Sequence, residues 1–389
     1  MRKLSILFFS ILMILSFLSS CKVKETEIKT HEPSKAVNVI YMIGDGMSLP
    51  EIYAAMLAVD NDLAFSQFPY SGIVKTRSAS NDITDSAAAG TALACGGKTS
   101  NGMVGMTPDS IPMRSVLDVL SENGKSTGIV VTCYATHATP ATFYAKVPDR
   151  KQYETIAEQM MNCDKLNMMI AGGRKHFNER EDNRNLLEEM KQKGWTVYDT
   201  LANIDVTNKK YAVLVDDGHV PVISERGDFL PRGVKTALET LDGNENGFFL
   251  MVEGSLIDFA CHDNDSAYMV NEIKDFSDAI QVAMDYAKTH DNTLLVVTAD
   301  HETGGLTLKD PNGHYDNPST FFSTHSHTCL PVMVFAYGPG AEQFTGWMEN
   351  SDLKGKILNA CGIVENDTIA ETVGQVDAVK TNFDSNRNN

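Results

Sequence analysis

The chain is poor in basic side chains, in tryptophan and in long apolar runs. Lys and Arg number 33 against 51 Asp and Glu, a formal charge of −18 over 389 residues. That balance excludes non-specific nucleic-acid binding, because phosphate backbones are held by stripes of Lys and Arg. Most of the acidic excess reads as a solvated surface, with a few carboxylates available as metal ligands. Seven cysteines occur and none has C-x-x-C spacing, so neither a zinc ribbon nor a dithiol redox motif is present. No internal repeat is visible. The longest apolar run, residues 4–18, is too short to span a membrane comfortably. What remains is 42% apolar, enough to bury a large core in a single α/β domain.

The N-terminus sets the expected compartment. Arg2 and Lys3 precede the apolar run, and Leu18-Ser19-Ser20-Cys21 follows it. This resembles a bacterial lipobox: residues 1–20 form a lipoprotein signal peptide and Cys21 becomes the lipidated first residue of the mature chain. Residues 21–36 read as a flexible tether, 37–374 as the catalytic domain and 375–389 as a polar tail. The protein is therefore expected to be exported and lipid-anchored to a bacterial membrane, periplasmic or at the cell surface. Six cysteines remain (Cys95, Cys133, Cys163, Cys261, Cys329 and Cys361), an even number that permits disulfides without requiring them.

Strand-like and helical runs alternate. Residues 37–42, 127–132, 168–171, 212–215, 248–252, 294–298 and 332–337 read as strands. Residues 51–59, 115–122, 185–193 and 271–288 read as helices. The pattern predicts an α/β three-layer sandwich with a large, mostly parallel central sheet flanked by helices. Ligands of such sheets sit beyond the carboxyl ends of the strands. Asp45, Glu253 and the Asp300-His301 pair each follow a predicted strand.

Further residues suit chemistry. Ser86, in Thr84-Asp85-Ser86-Ala87-Ala88, opens a run of small helix formers, where the helix dipole and unpaired amides favour phosphate or an ionised oxygen; the same residues also suit a plain N-cap. Asp258 and His262 are four apart, on one face of a helix, and suit either a metal or an exposed ion pair. In Ala299-Asp300-His301 an apolar run ends in two groups that gain nothing from burial unless paired or metal-bound. His327 precedes the last strand, with His325 as a rival ligand.

In this order the blocks resemble the alkaline phosphatase family: Gly44-Asp45-Gly46-Met47, Thr84-Asp85-Ser86, His137-Ala138-Thr139-Pro140-Ala141, Glu253-Gly254-Ser255 with Asp258 and His262, Thr298-Ala299-Asp300-His301-Glu302-Thr303-Gly304-Gly305, and His327-Thr328. The resemblance implies hydrolysis of phosphate monoesters through a phosphoseryl intermediate on Ser86, with two zinc ions and one magnesium. Asp258, His262 and His327 would hold one zinc; Asp45, Asp300 and His301 the second; Asp45, Thr139 and Glu253 the magnesium. Arg150 matches the family's phosphate-binding arginine, positioned by Asp85. A homodimer is implied by analogy.

Three positions depart from the pattern. His137 stands where some relatives carry Asp and others His; it is expected to reach the third metal only through water, and the His form is expected to weaken selectivity for magnesium there and admit another ion. Phe259 replaces a residue that is often polar. Only 25 residues separate His301 from His327, so any lobe inserted there is expected to be small. A sulfatase is disfavoured because Ser86 is followed by Ala87-Ala88 rather than a C/S-x-P-x-R context. A phosphodiesterase and a non-catalytic metal- or phosphate-binding lipoprotein are the other readings.

Overall fold

A computed structural model describes residues 35–59, 63–310 and 319–365. The signal peptide, Cys21, nearly all of the tether and the polar tail lie outside these residues. Ala36, placed at the end of the tether, is buried, and its amide donates to the Ala360 carbonyl.

The described residues form fourteen strands: β1 (Asn38–Gly44), β2 (Tyr70–Lys75), β3 (Ser126–Tyr134), β4 (Met168–Gly172), β5 (Thr196–Tyr198), β6 (Tyr211–Leu214), β7 (Phe248–Gly254), β8 (Thr293–Ala299), β9 (Glu302–Thr303), β10 (Thr307–Lys309), β11 (Ser319–Phe321), β12 (His327–Thr328), β13 (Val332–Tyr337) and β14 (Gly346–Glu349). Ten of them make one sheet in the order β14-β2-β13-β8-β1-β7-β3-β4-β6-β5. Only β13 runs against its neighbours, pairing antiparallel with both β2 and β8. The remaining strands are parallel, as the alternating pattern predicted.

The central strands β1, β7 and β8 are buried at every residue, which accounts for their near-continuous apolar sequences. One face is covered by the 24-residue helix Ser266–Thr289, packed with the helices Leu49–Ala58 and Phe229–Leu241. Its buried residues Met269, Ile273, Phe276, Ile280, Ala283 and Ala287 recur every three or four positions, one helical stripe. Asp265 starts it, accepting from the amides of Ala267 and Tyr268 at 3.0 Å each. The helix Ser86–Cys95 packs instead with Val116–Glu122 and Asp352–Ala360.

The predicted strands and helices are present within a few residues. The edge strands β5 and β14, and β2 beside β14, escape the sequence pattern because they are short and only partly buried. The helix Phe229–Leu241 is disguised by Pro231 and Gly233. Gly233 is required by packing: a Cβ there would lie 2.9 Å from Val130 Cγ1 on β3. Between His301 and His327 the described residues form only the small β10–β11 hairpin and the β9–β12 pair. The six described cysteines are all unpaired.

Phe249 on β7 is fully buried, 6.0 Å from the Phe143 ring. Replacing it with Ala is expected to lower stability by roughly 3–5 kcal/mol, read as a shift in the urea midpoint without a change in m.

Candidate metal centre and nucleophile

β1 lies between β7 and β8, with Gly44 level with Gly254 on one side and Ala299 on the other. The three chains therefore leave the sheet together, and Asp45 and Asp300 emerge side by side. Glu253 is the penultimate residue of β7, inside the strand rather than just beyond it as expected, in register with Ile43 and Val131. Side chains alternate faces along a strand, so Asp45 and Cys133, two residues further on, follow on the face of Glu253. Gly46 makes the close approach possible. Its φ is 71°, and a Cβ would fall 2.8 Å from Asp258 Cα and 2.9 Å from Thr303 Oγ1.

The side chains expected from sequence converge in three groups. In the first, His262 Nε2 is 3.3 Å from Asp258 Oδ2, and His327 Nε2 is 3.6 Å from Asp258 Oδ1. His262 Nδ1 donates to the His325 carbonyl at 2.6 Å and His327 Nδ1 to the Thr84 carbonyl at 2.9 Å. Both rings thus turn Nε2 inward, the nitrogen left to ligate a metal; without one, the hydrogen bond to Asp258 raises the His262 pKa to about 9, so a cation would displace that proton. The rival His325 is occupied elsewhere: its Nδ1 donates to the His262 carbonyl at 2.7 Å.

In the second group His301 Nε2 is 3.3 Å from Asp300 Oδ2 and 3.5 Å from Asp45 Oδ1. Ser86 Oγ joins it, 3.2 Å from His301 Nε2. Asp300 Oδ1 accepts from the amides of Gly46 (3.1 Å) and His301 (2.9 Å), which aims Oδ2 inward. Thr303, to which the sequence assigned no role, ties the two groups together. Its hydroxyl donates to Asp258 Oδ1 at 2.5 Å and lies 3.3 Å from His301 Nδ1. Only its place in the Asp300–Gly305 block hinted at this.

The third group surrounds Glu253. Cys133 and His137 approach it, and the Cys133 thiol donates to Oε2 at 3.2 Å. Thr139 and Asp45 also lie against this carboxylate. Cys133 was missed as a site residue because nothing in its sequence spacing marks it.

Both Asp45 oxygens, Asp300 Oδ2, Glu253 Oε1, Thr139 Oγ1 and His137 Nδ1 are buried without a hydrogen-bond partner. Such orphans are rare, and here they converge, with carboxylates and imidazoles together, as a divalent cation requires. Without cations, burial and then the charges of its neighbours raise the Asp45 carboxyl well above the usual range. Burial, then the charges of Asp258 and Glu253, push Asp300 to about 8. Burial pushes Glu253 to about 7. Burial also opposes ionisation of Asp258, but the hydrogen bond with His262 and the nearby His301 and His327 hold it below the usual range.

Beside the second group, Ser86 is the first residue of the buried helix Ser86–Cys95. Asp85 caps that helix through Oδ1, which accepts from the Ala88 amide at 2.9 Å. Its Oδ2 accepts from the Gly102 amide at 3.0 Å and from Arg150 Nη1 at 3.0 Å. One carboxylate therefore orients both the helix that Ser86 opens and the Arg150 guanidinium. Arg150 Nη2 is 3.4 Å from His137 Nε2, and the Phe259 ring packs against His137 and His219.

Two outcomes follow. Asp300 and Glu253 bind more protons folded than unfolded between pH ~4 and their raised values, so the metal-free protein loses stability as pH rises through that window. Its melting temperature is expected to fall between pH ~4 and ~8, and saturating zinc to abolish the fall. Gly46→Ala is expected to lower bound metal per chain while leaving far-ultraviolet circular dichroism unchanged.

The alkaline phosphatase family model matches residues 36–320. The chain is 33% identical to alkaline phosphatase 4 of Bacillus subtilis, over 85% of this chain and 89% of that protein. It is 30% identical to a membrane-bound alkaline phosphatase of Bombyx mori, over 79% and 68% of the two chains. The alkaline phosphatase of the Antarctic bacterium TAB5 superposes with a TM-score of 0.82 at 37% identity, covering 85% of this chain and all of that one. A histidine-to-aspartate mutant of that enzyme, also at 0.82, has magnesium bound in a site called M3. With metal-ligating groups converged at the strand ends and these matches over most of its length, the chain belongs to the alkaline phosphatase family, metal-dependent hydrolases of phosphate monoesters.

Proposed function

We propose that Ser86 is the nucleophile of a phosphomonoesterase whose phosphate is clamped by Arg150. Asp258, His262 and His327 hold one zinc, and Asp45, Asp300 and His301 a second. Asp45, Thr139 and Glu253 hold a magnesium ion, with His137 behind them. The carrying observation is the placement of Ser86 Oγ, 3.2 Å from His301 Nε2 at one side and beside the Asp85–Arg150 pair at the other. Bound there, divalent ions supply Lewis-acid stabilisation of the serine alkoxide and of the leaving oxygen.

The residues' own contributions follow from their chemistry. Ser86 Oγ attacks phosphorus and the ester P–O bond breaks, leaving a phosphoserine and an alcohol. Water then attacks phosphorus, the Ser86–phosphate bond breaks, and inorganic phosphate departs. Arg150 presents a planar fork to two non-bridging oxygens, and the Asp85 carboxylate holds that fork in place. A monoester leaves both oxygens free, whereas a diester has one of them substituted, which favours monoesters. Burial drives the His301 imidazole well below its ordinary pKa, with His327 adding to the shift, so the ring is neutral and able to ligate.

Lipidation of Cys21 would anchor the protein outside the cytoplasm. The membrane-bound Bombyx relative gives precedent, and among the described residues no helix is long and apolar enough to cross a membrane. The helix Leu49–Ala58 exposes Leu49, Tyr53 and Leu57 at successive turns, an apolar stripe suited to a second copy of the chain.

Ser86→Ala is expected to cut p-nitrophenyl phosphate hydrolysis by a factor on the order of 10³–10⁶, with metal content per chain unchanged. Full activity in this variant would remove Ser86 as nucleophile. Arg150→Lys is expected to lower kcat/KM about 10–100-fold, since a point charge replaces a bidentate clamp. Tyr53→Glu is expected to shift the mass measured by light scattering from two chains to one.

A further inference from the structure

We propose that the third site contains two donor sets sharing Glu253, and that zinc displaces magnesium from it by using Cys133, His137 and Glu253. The proposal rests on the three-site reading above. The hard set is Asp45, Thr139 and Glu253, all oxygen. The soft set brings one sulfur, one imidazole and one carboxylate, with ligand atoms all within 4.8 Å of one another.

The competing contacts of the two groups are long: Cys133 Sγ lies 3.4 Å from the Tyr134 carbonyl and His137 Nε2 3.4 Å from Arg150 Nη2. Cys133 is fully buried at the end of β3, with its strongest contact the 3.2 Å hydrogen bond to Glu253 Oε2. Its backbone is pinned, because the Cys133 amide donates to Ser255 Oγ at 3.1 Å and the Ser255 amide to Thr132 Oγ1 at 2.9 Å. The sulfur is therefore held toward β7. His137 Nδ1 and Glu253 Oε1 are both buried and unpartnered. Ligation through Nδ1 would place the ring proton on Nε2 and end the contact with Arg150.

Magnesium demands oxygen ligands, whereas zinc accepts sulfur, nitrogen and oxygen in a four-coordinate shell. Ion entry exchanges the thiol proton for a metal–sulfur bond and releases that proton to solvent.

The full chain would be equilibrated with equal free zinc and magnesium, and metal per chain measured by mass spectrometry. Three zinc ions and no magnesium are expected for the wild type, and two zinc with one magnesium for Cys133→Ser. The cobalt-substituted wild type should show a near-ultraviolet thiolate charge-transfer band that Cys133→Ser loses. Two zinc and one magnesium in the wild type, or an unchanged band in the variant, would overturn the proposal and leave the three-site reading standing. Fewer than three ions of any kind in the wild type would sink that reading as well. Should the variant not fold, the cobalt-substituted wild type decides alone, since without Cys133 ligation it shows no thiolate band.

Discussion

Mutual repulsion among Asp45, Glu253, Asp258 and Asp300 is the constraint on which this structure turns. All four are buried; burial raises the pKa of Asp45, Glu253 and Asp300, and the charges of neighbouring carboxylates raise Asp45 and Asp300 further. Folding alone does not repay that cost; a bound cation does, by substituting attraction for repulsion. The surrounding architecture serves to keep the carboxylates together despite it. Parallel pairing of β1 with β7 and β8 levels the strand ends, and Gly46 removes the one Cβ that would separate Asp45 from Asp258.

Around this core the neutral groups are arranged to spend their hydrogen bonds outward. His262 and His327 donate to backbone carbonyls through Nδ1, and Asp300 Oδ1 takes two amides, so both Nε2 atoms and Asp300 Oδ2 face inward. Asp85 performs the same service on the phosphate side, dividing its two oxygens between a helix amide and the Gly102 amide with Arg150. The acidic surface, which would repel a phosphate ester at long range, is outweighed locally by an arginine and by whatever cations the carboxylates hold. In the proposed mechanism, preference for a monoester follows from the geometry of the Arg150 guanidinium rather than from net charge.

Much of this was legible before the fold was known, for a definite reason. A buried strand reads as an unbroken apolar run, so β1, β7 and β8 stand out, and a carboxylate or histidine just beyond such a run is conspicuous. Asp45, Asp300, His301 and the Asp258–His262 pair were therefore visible as chemistry. Strands β2, β5 and β14 were not, because a half-exposed strand of three to six residues has no distinctive pattern. The helix carrying Pro231 and Gly233 was hidden because those residues ordinarily interrupt helices, while here Gly233 permits close packing on β3.

The amino-acid sequence by itself determined the class of fold, the acidic surface and which side chains are able to ligate metal or attack phosphorus, because these follow from residue type and from periodicity along the chain. Tertiary structure alone decided who meets whom. His327 rather than His325 enters the cluster because the reciprocal contacts between His262 and His325 occupy the latter. Thr303 links two ligand groups, and Cys133 reaches Glu253, only because strands distant in sequence end at a common edge. No spacing along the chain encodes such meetings; they arise from sheet order and register, which the whole chain sets at once.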